Sequence, residues 1–195
     1  RNGRMLFVHY NFKEESAGHP RLKLLRAREK LDQVVAPGKT QLEKIVLLRN
    51  WAHRQWVSGG AFYYPPWDAV EILDLVRNRR NRGFCAQYAI VFLQACLSMG
   101  LHARYINLPG HFNVSVWSDD HNRWLVMDPT FDIHYEKNGL PLRGRDISRA
   151  YWSENVAGIF KVGSDGSRTP ITRDEIREYR GYSILLRNNH LSEPV

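Results

Sequence analysis

Three residues, Cys85, His111 and Asp128, are of the types that carry out acyl transfer. A thiolate attacks, and a nearby imidazole takes the thiol proton and later returns it to a leaving amine. A carboxylate on the far ring nitrogen fixes the tautomer and stabilises the cation. The chain has two cysteines, Cys85 and Cys96. On one helix they would lie about 16 Å apart, whereas a disulfide needs Cα atoms within about 7 Å. They therefore read as free thiols in different settings. Cys85 opens a helix expected over Gly83–Met99 and ended by Gly100, where unpaired amides and the helix dipole favour an anion. Cys96 falls mid-helix among apolar residues and reads as core.

What must position these residues is that helix and a hairpin. Only Gln87, Gln94 and Ser98 interrupt the apolar run after Ala86. A helix apolar almost all round is a buried central helix. After it, His102 to Leu108 reads as a strand broken by Pro109-Gly110. Residues 111–118 and 123–128 read as two strands joined by Asp119-Asp120-His121-Asn122. A four-residue or a two-residue loop gives the same register, with Trp117 facing Trp124, Val116 facing Leu125 and Val114 facing Met127. Aromatic meets aromatic and apolar meets apolar, as cross-strand pairing prefers. That register sets Asn113 opposite Asp128, with His111 on the same face. His111 and Asp128 become diagonal neighbours, with Cα atoms about 7–8 Å apart. A one-residue slip would send one of them to the other face.

The rest of the chain is less specific. Arg4 to Phe12 reads as a short strand and Leu22 to Val35 as one basic amphipathic helix. A second helix is expected over Thr40–Val57, with Thr40 and Glu43 as a capping box and Gly59-Gly60 as its stop. Residues 61–67 form an aromatic, proline-containing loop, and Asp68 caps a helix to about Val76. After Asp132 the signals weaken: a helix at 147–152, a strand at 158–162, a turn at 163–167, a charged helix at 172–179 and a tail at 188–195. His102, His121 and His134 have no chemical context and read as structural.

The chain's 195 residues fit one domain with extensions. Such a chain buries roughly 70% of its unfolded surface without staples. With 28 Lys+Arg against 20 Asp+Glu, the net charge is +8. That balance favours acidic partners, but no nucleic-acid-binding motif accompanies it. Arg77, Arg79, Arg80 and Arg82 precede Cys85 and could form a solvated loop or an electropositive rim that favours the thiolate. No metal-ligand spacing, cofactor motif or integral membrane segment is visible. The chain opens at Arg1 rather than methionine. It reads as processed or excised, which leans towards a place outside the cytoplasm.

Four motifs occur in order: Arg82-Gly83-Phe84-Cys85-Ala86-Gln87-Tyr88-Ala89, Met99-Gly100-Leu101-His102-Ala103-Arg104-Tyr105, His111-Phe112-Asn113-Val114-Ser115-Val116-Trp117 and Trp124-Leu125-Val126-Met127-Asp128-Pro129-Thr130. Together they resemble the cysteine, histidine and aspartate motifs of the transglutaminase-like superfamily, in its bacterial-type form, over roughly Thr40 to Tyr135. The resemblance implies an α+β, papain-like fold with the cysteine on a central helix packed against an antiparallel sheet. It implies Cys85 as nucleophile, His111 as base, Asp128 as orienting acid, and acyl-enzyme chemistry on an amide. Family members often carry Trp two residues after the histidine and Glu four after, where this chain has Asn113 and Ser115. A different substrate groove is therefore expected. Trp56 or Trp51 could supply an oxyanion donor beside the Cys85 amide, and Asn113 and Arg82 are candidate substrate contacts.

These readings divide the chain into an N-terminal extension (1–39), a catalytic core (40–135) and a C-terminal extension packing on the core (136–195). The expected activity is thiol-dependent acyl transfer on amide bonds without a cofactor. A peptidase or amidase is favoured over a protein cross-linker, since no calcium-loop pattern is visible. The expected substrate is a protein or peptide, and the chain's positive charge would suit an acidic one. The rival readings are a non-catalytic module binding acidic glycans or cell-surface polymers, and an acetyltransferase of the arylamine type. The second glycine of that last family is missing from Arg82-Gly83-Phe84-Cys85.

Overall fold

The computed structural model describes residues 17–60, 67–78 and 82–184. The strand expected at 4–12, most of the aromatic loop and the tail at 188–195 lie outside those residues. The described chain begins with helices α1 (Pro20–Arg28), α2 (Leu31–Val35), α3 (Gln41–His53), α4 (Ala69–Arg77) and α5 (Cys85–Ser98). Strands β1 (Ala103–Leu108), β2 (His111–Ser118), β3 (Arg123–Asp128), β4 (Ile133–Lys137) and β5 (Leu140–Pro141) follow. Helix α6 (Gly144–Trp152), β6 (Ile159–Gly163), β7 (Arg168–Pro170), a 3-10 helix (Asp174–Gly181) and β8 (Ser183–Ile184) complete it.

The basic helix expected over Leu22–Val35 is two helices. Lys30 takes a left-handed φ of 51° between them. The bend lets Leu22 and Leu25 of α1 and Leu31 and Val35 of α2 all reach the core. Helix α3 is capped as expected: Thr40 accepts from the Glu43 amide while the Glu43 side chain accepts from the Thr40 amide. It stops at His53 rather than Val57, because Trp56 turns away to meet the chain before Cys85.

The strands form one antiparallel sheet in the order β7-β6-β4-β3-β2-β1-β8, with β5 beside β4. The hairpin register is the expected one, pairing Val114 with Met127, Val116 with Leu125 and Trp117 with Trp124. Its two Trp rings meet edge to face at 5.8 Å. Alternation gives each face its own core. Ala103, Tyr105, Val114, Val116, Leu125 and Met127 pack on the helical layer. Ile106, Leu108 and Val126 point the other way, onto α6 and the 3-10 helix.

Helix α5 is buried from Ala86 to Ser98. Its polar residues have partners in that interior. Gln94 accepts from the Ala69 amide and donates to the Trp67 carbonyl, each at 2.7 Å, so it ties α4 to α5. Ser98 donates to the Ala95 carbonyl at 2.7 Å. The fold is therefore α+β, with a buried central helix packed against an antiparallel sheet.

Candidate active site

Cys85 is the first residue of α5 and is partly exposed. The residues before it are fixed from several sides. The Gly83 carbonyl accepts from the Gly59 amide at 2.9 Å and from Trp56 Nε1 at 3.1 Å. Gln87 Oε1 accepts from the Phe84 amide at 3.0 Å. Tyr105 donates its hydroxyl to the Ala86 carbonyl at 3.2 Å. The first-turn amides of α5 have no partner within the helix and gather at Cys85, where they stabilise negative charge.

His111 starts β2, and Asp128 ends β3, as the register requires. His111 Nε2 lies 2.8 Å from Asp128 Oδ2. Nδ1 is then the ring nitrogen not engaged by Asp128, and Cys85 lies close enough to act on the charge of the ring. Burial opposes a charge on this ring, but the hydrogen bonds to Asp128 and Cys85 outweigh it, and the pKa rises to about 10. Asp128 is 2% exposed. Its Oδ1 accepts from the amides of Thr130 at 2.9 Å and Phe131 at 3.1 Å. The loop carrying those amides is held from α3, where the His53 Nδ1–H donates to the carbonyls of Pro129 and Thr130.

Two of the secondary candidates take other roles. Trp56, one of two candidates for an oxyanion donor, has its N–H committed to the Gly83 carbonyl, and the indole stacks on Tyr88 at 4.1 Å. Asn113, expected to touch substrate, is 1% exposed and faces Asp128 and Tyr179 instead. Trp51 packs at the edge of the helical core. Arg82 is exposed beside Gly59. Cys96 is fully buried, and burial pushes its thiol well up.

Two features beside the site were not foreseen. Phe131 is 64% exposed, with its ring 5.5 Å from the His111 ring. Its position three residues after Asp128, past Pro129, was the available signal. A cavity of about 570 Å³ opens next to His111, Asp128 and Phe131, and residues of β4, β6 and the 3-10 helix close it.

A second cluster lies under the Asp128 loop. Arg49 of α3 is fully buried. It bonds Asp132 at 2.9 Å and donates to His134 Nδ1 at 2.8 Å. His134 Nε2–H in turn donates to Glu136 at 2.9 Å. Burial and the Arg49 charge pull His134 down to about 4, against the pull of Glu136.

A family description, the transglutaminase-like superfamily, matches residues 28–129. The chain belongs to that superfamily. The matched stretch runs from the end of α1 to the residue after Asp128. None of the curated proteins matches the sequence. Among solved structures, the chain is similar to "a putative protease from Parabacteroides distasonis", at 13% identity and a TM-score of 0.39. The alignment covers 80% of this chain and 32% of that one, so the chain spans about a third of its length. No described helix is long and apolar enough to cross a membrane.

Proposed function

We propose that this protein is a thiol-dependent acyl-transfer enzyme that hydrolyses amide bonds, a peptidase or amidase rather than a protein cross-linker. The observation that carries the reading is the His111 ring held at 2.8 Å by Asp128, with Cys85 acting on that ring from a helix N-terminus. In the first half-reaction, Cys85 Sγ bonds to the amide carbonyl carbon and its proton rests on His111. The carbonyl oxygen takes the charge, with the Cys85 amide as one donor. His111 then protonates the leaving nitrogen as the C–N bond breaks, leaving a thioester on Cys85. In the second half-reaction, water gives a proton to His111 and its oxygen bonds to the acyl carbon. The C–S bond breaks, the acid leaves, and the thiol is restored. The raised pKa of His111 suits it to the donor step, because the ring is protonated when the leaving amine needs a proton.

The experiment is intact-mass analysis of the protein mixed with a panel of peptide amides and thioesters, with and without an added primary amine. An acyl adduct on Cys85, absent in Cys85→Ala and resolving to free acid, supports hydrolysis. Release only as the amide of the added amine would replace hydrolysis by transfer. No adduct on Cys85 with any member of the panel would remove the enzymatic reading.

A further inference from the structure

We propose that Tyr179 is a positioning residue for this site: acting through Asn113, it holds the Asp128 carboxylate in place from a part of the chain beyond the matched residues 28–129. The inference rests on the reading of Cys85, His111 and Asp128 as the reacting groups.

The argument starts from what a buried carboxylate needs. Two oxygens offer about four acceptor positions and no proton. Asp128 fills all four. Thr130 and Phe131 amides take Oδ1, and His111 takes Oδ2. The fourth donor is the Asn113 amide nitrogen, 3.0 Å from Oδ2. An amide could equally present its oxygen, which would set two acceptors against each other. The orientation is decided by Asp128 Oδ2 and the Phe112 carbonyl, acceptors that both lie 3.0 Å away and call for the nitrogen, and the Tyr179 hydroxyl, 2.8 Å off, then braces the other end. With the nitrogen turned to Asp128, the Asn113 oxygen accepts the Tyr179 proton. Tyr179 is 2% exposed, and burial pushes its hydroxyl well above the ordinary range. It therefore keeps the proton it must donate.

Tyr179 sits on the 3-10 helix, whose place is fixed independently. Ile176 and Tyr179 are buried in the second core. Tyr179 meets Tyr135 of β4 edge to face at 6.0 Å. Just after it, Ser183 and Ile184 pair with Asn107 and Ile106 of β1. The hydroxyl is thus presented by a braced element.

The other charges near Asp128 stay unchanged when Tyr179 loses its hydroxyl. Arg49 acts on it from α3, and His111 and Cys85 lie in front. Tyr135 stands on β4, Lys161 on β6, and Glu175 and Glu178 on the 3-10 helix, all on the shared cavity.

The test is a cycle of wild type, Tyr179→Phe, Asn113→Leu and the double variant. The rate of Cys85 alkylation by iodoacetamide is read against pH, and the His111 ring signals are followed by NMR over the same range. Tyr179→Phe is expected to slow alkylation about tenfold, the loss of one hydrogen bond to a charged network. The acid limb of alkylation and the His111 inflection should both move, the latter down from its raised value, because a carboxylate held less firmly supports the charged ring less well. Asn113→Leu should do at least as much, and adding Tyr179→Phe to it should change nothing more. Unmoved limb and inflection in Tyr179→Phe overturn the proposal, even if stability falls, since simple packing predicts that. Equal effects with and without Asn113 also overturn it. Wild-type Cys85 no faster than a free thiol would defeat the enzymatic reading, and the His111 signals would then judge the Tyr179 link alone.

Discussion

The Trp56 indole occupies the place that a β-carbon on residue 83 would need. A Cβ built on Gly83 lies 2.7 Å from Trp56 Nε1 and 2.8 Å from Cε2. The same indole nitrogen donates to the Gly83 carbonyl at 3.1 Å. Glycine at this position is therefore a matter of close approach, two residues ahead of Cys85. Gly83→Ala is expected to destabilise the fold by about 1–3 kcal/mol, the usual cost of overpacking, and to slow Cys85 labelling. A smaller side chain at 56, as in Trp56→Leu, should relieve the steric part. Denaturant unfolding of the single and double variants checks this, and an unchanged midpoint in Gly83→Ala would contradict it.

The two thiols should separate cleanly in a labelling experiment. Cys85 is partly exposed at a helix start, whereas Cys96 is fully buried with its thiol pushed up. Iodoacetamide on the native protein is expected to modify Cys85 alone, and Cys85→Ser to abolish native labelling. Peptide mapping after a short pulse reads the outcome. Label on Cys96 at a comparable rate would contradict the burial described for α5.

His111 ties stability to pH on the alkaline side. Its imidazole titrates near 6.5 when unfolded and at about 10 in the fold. Between those values the folded state binds the extra proton, so unfolding releases it and stability falls as pH rises. The stabilisation is complete below about 6.5 and is lost as pH rises through about 10. Unfolding free energies of wild type and His111→Gln across that window give the measurement. The wild type should lose stability relative to the variant, and parallel curves would contradict the shift.

His134 and Arg49 act on the acid side. His134 is held down to about 4 in the fold, so the unfolded chain binds more protons between about 4 and 6.5 and stability falls as pH drops through that range. Arg49→Met should destabilise by about 1.5–3 kcal/mol near neutral pH, because Asp132 loses its charged partner while keeping Asn50 and Ser164. It should also flatten the acid limb, since the Arg49 charge helps to depress His134. Chemical unfolding at several pH values reads both effects.

What was legible in the sequence follows from what periodicity can carry. The Val114–Met127, Val116–Leu125 and Trp117–Trp124 pairs could be read because apolar alternation and one short turn fix a register. The His111–Asp128 contact follows from that register. The Thr40–Glu43 cap is local chemistry and was equally readable. Strand β4 was not, because Ile133-His134-Tyr135-Glu136-Lys137 reads as surface. His134 is buried against Arg49, and Glu136 against His134 and Arg168, and both arginines are distant in sequence. The break at Lys30 was hidden for a similar reason, since the demand for it comes from the core and not from the helix itself. Trp56 and Asn113 are candidates on the sequence because it places a side chain near a site without saying which way it faces.

The pairing of β8 with β1 has a consequence for synthesis. Ile106 and Asn107 leave the ribosome long before Ser183 and Ile184, the residues that cover them. At about 5–20 residues per second, that stretch of strand waits roughly 4–15 s for its neighbour. Throughout that interval β1 presents a bare edge, a template on which another nascent copy could pair. The newly made chain therefore carries an open edge at Ile106 and Asn107 until the last described strand covers it.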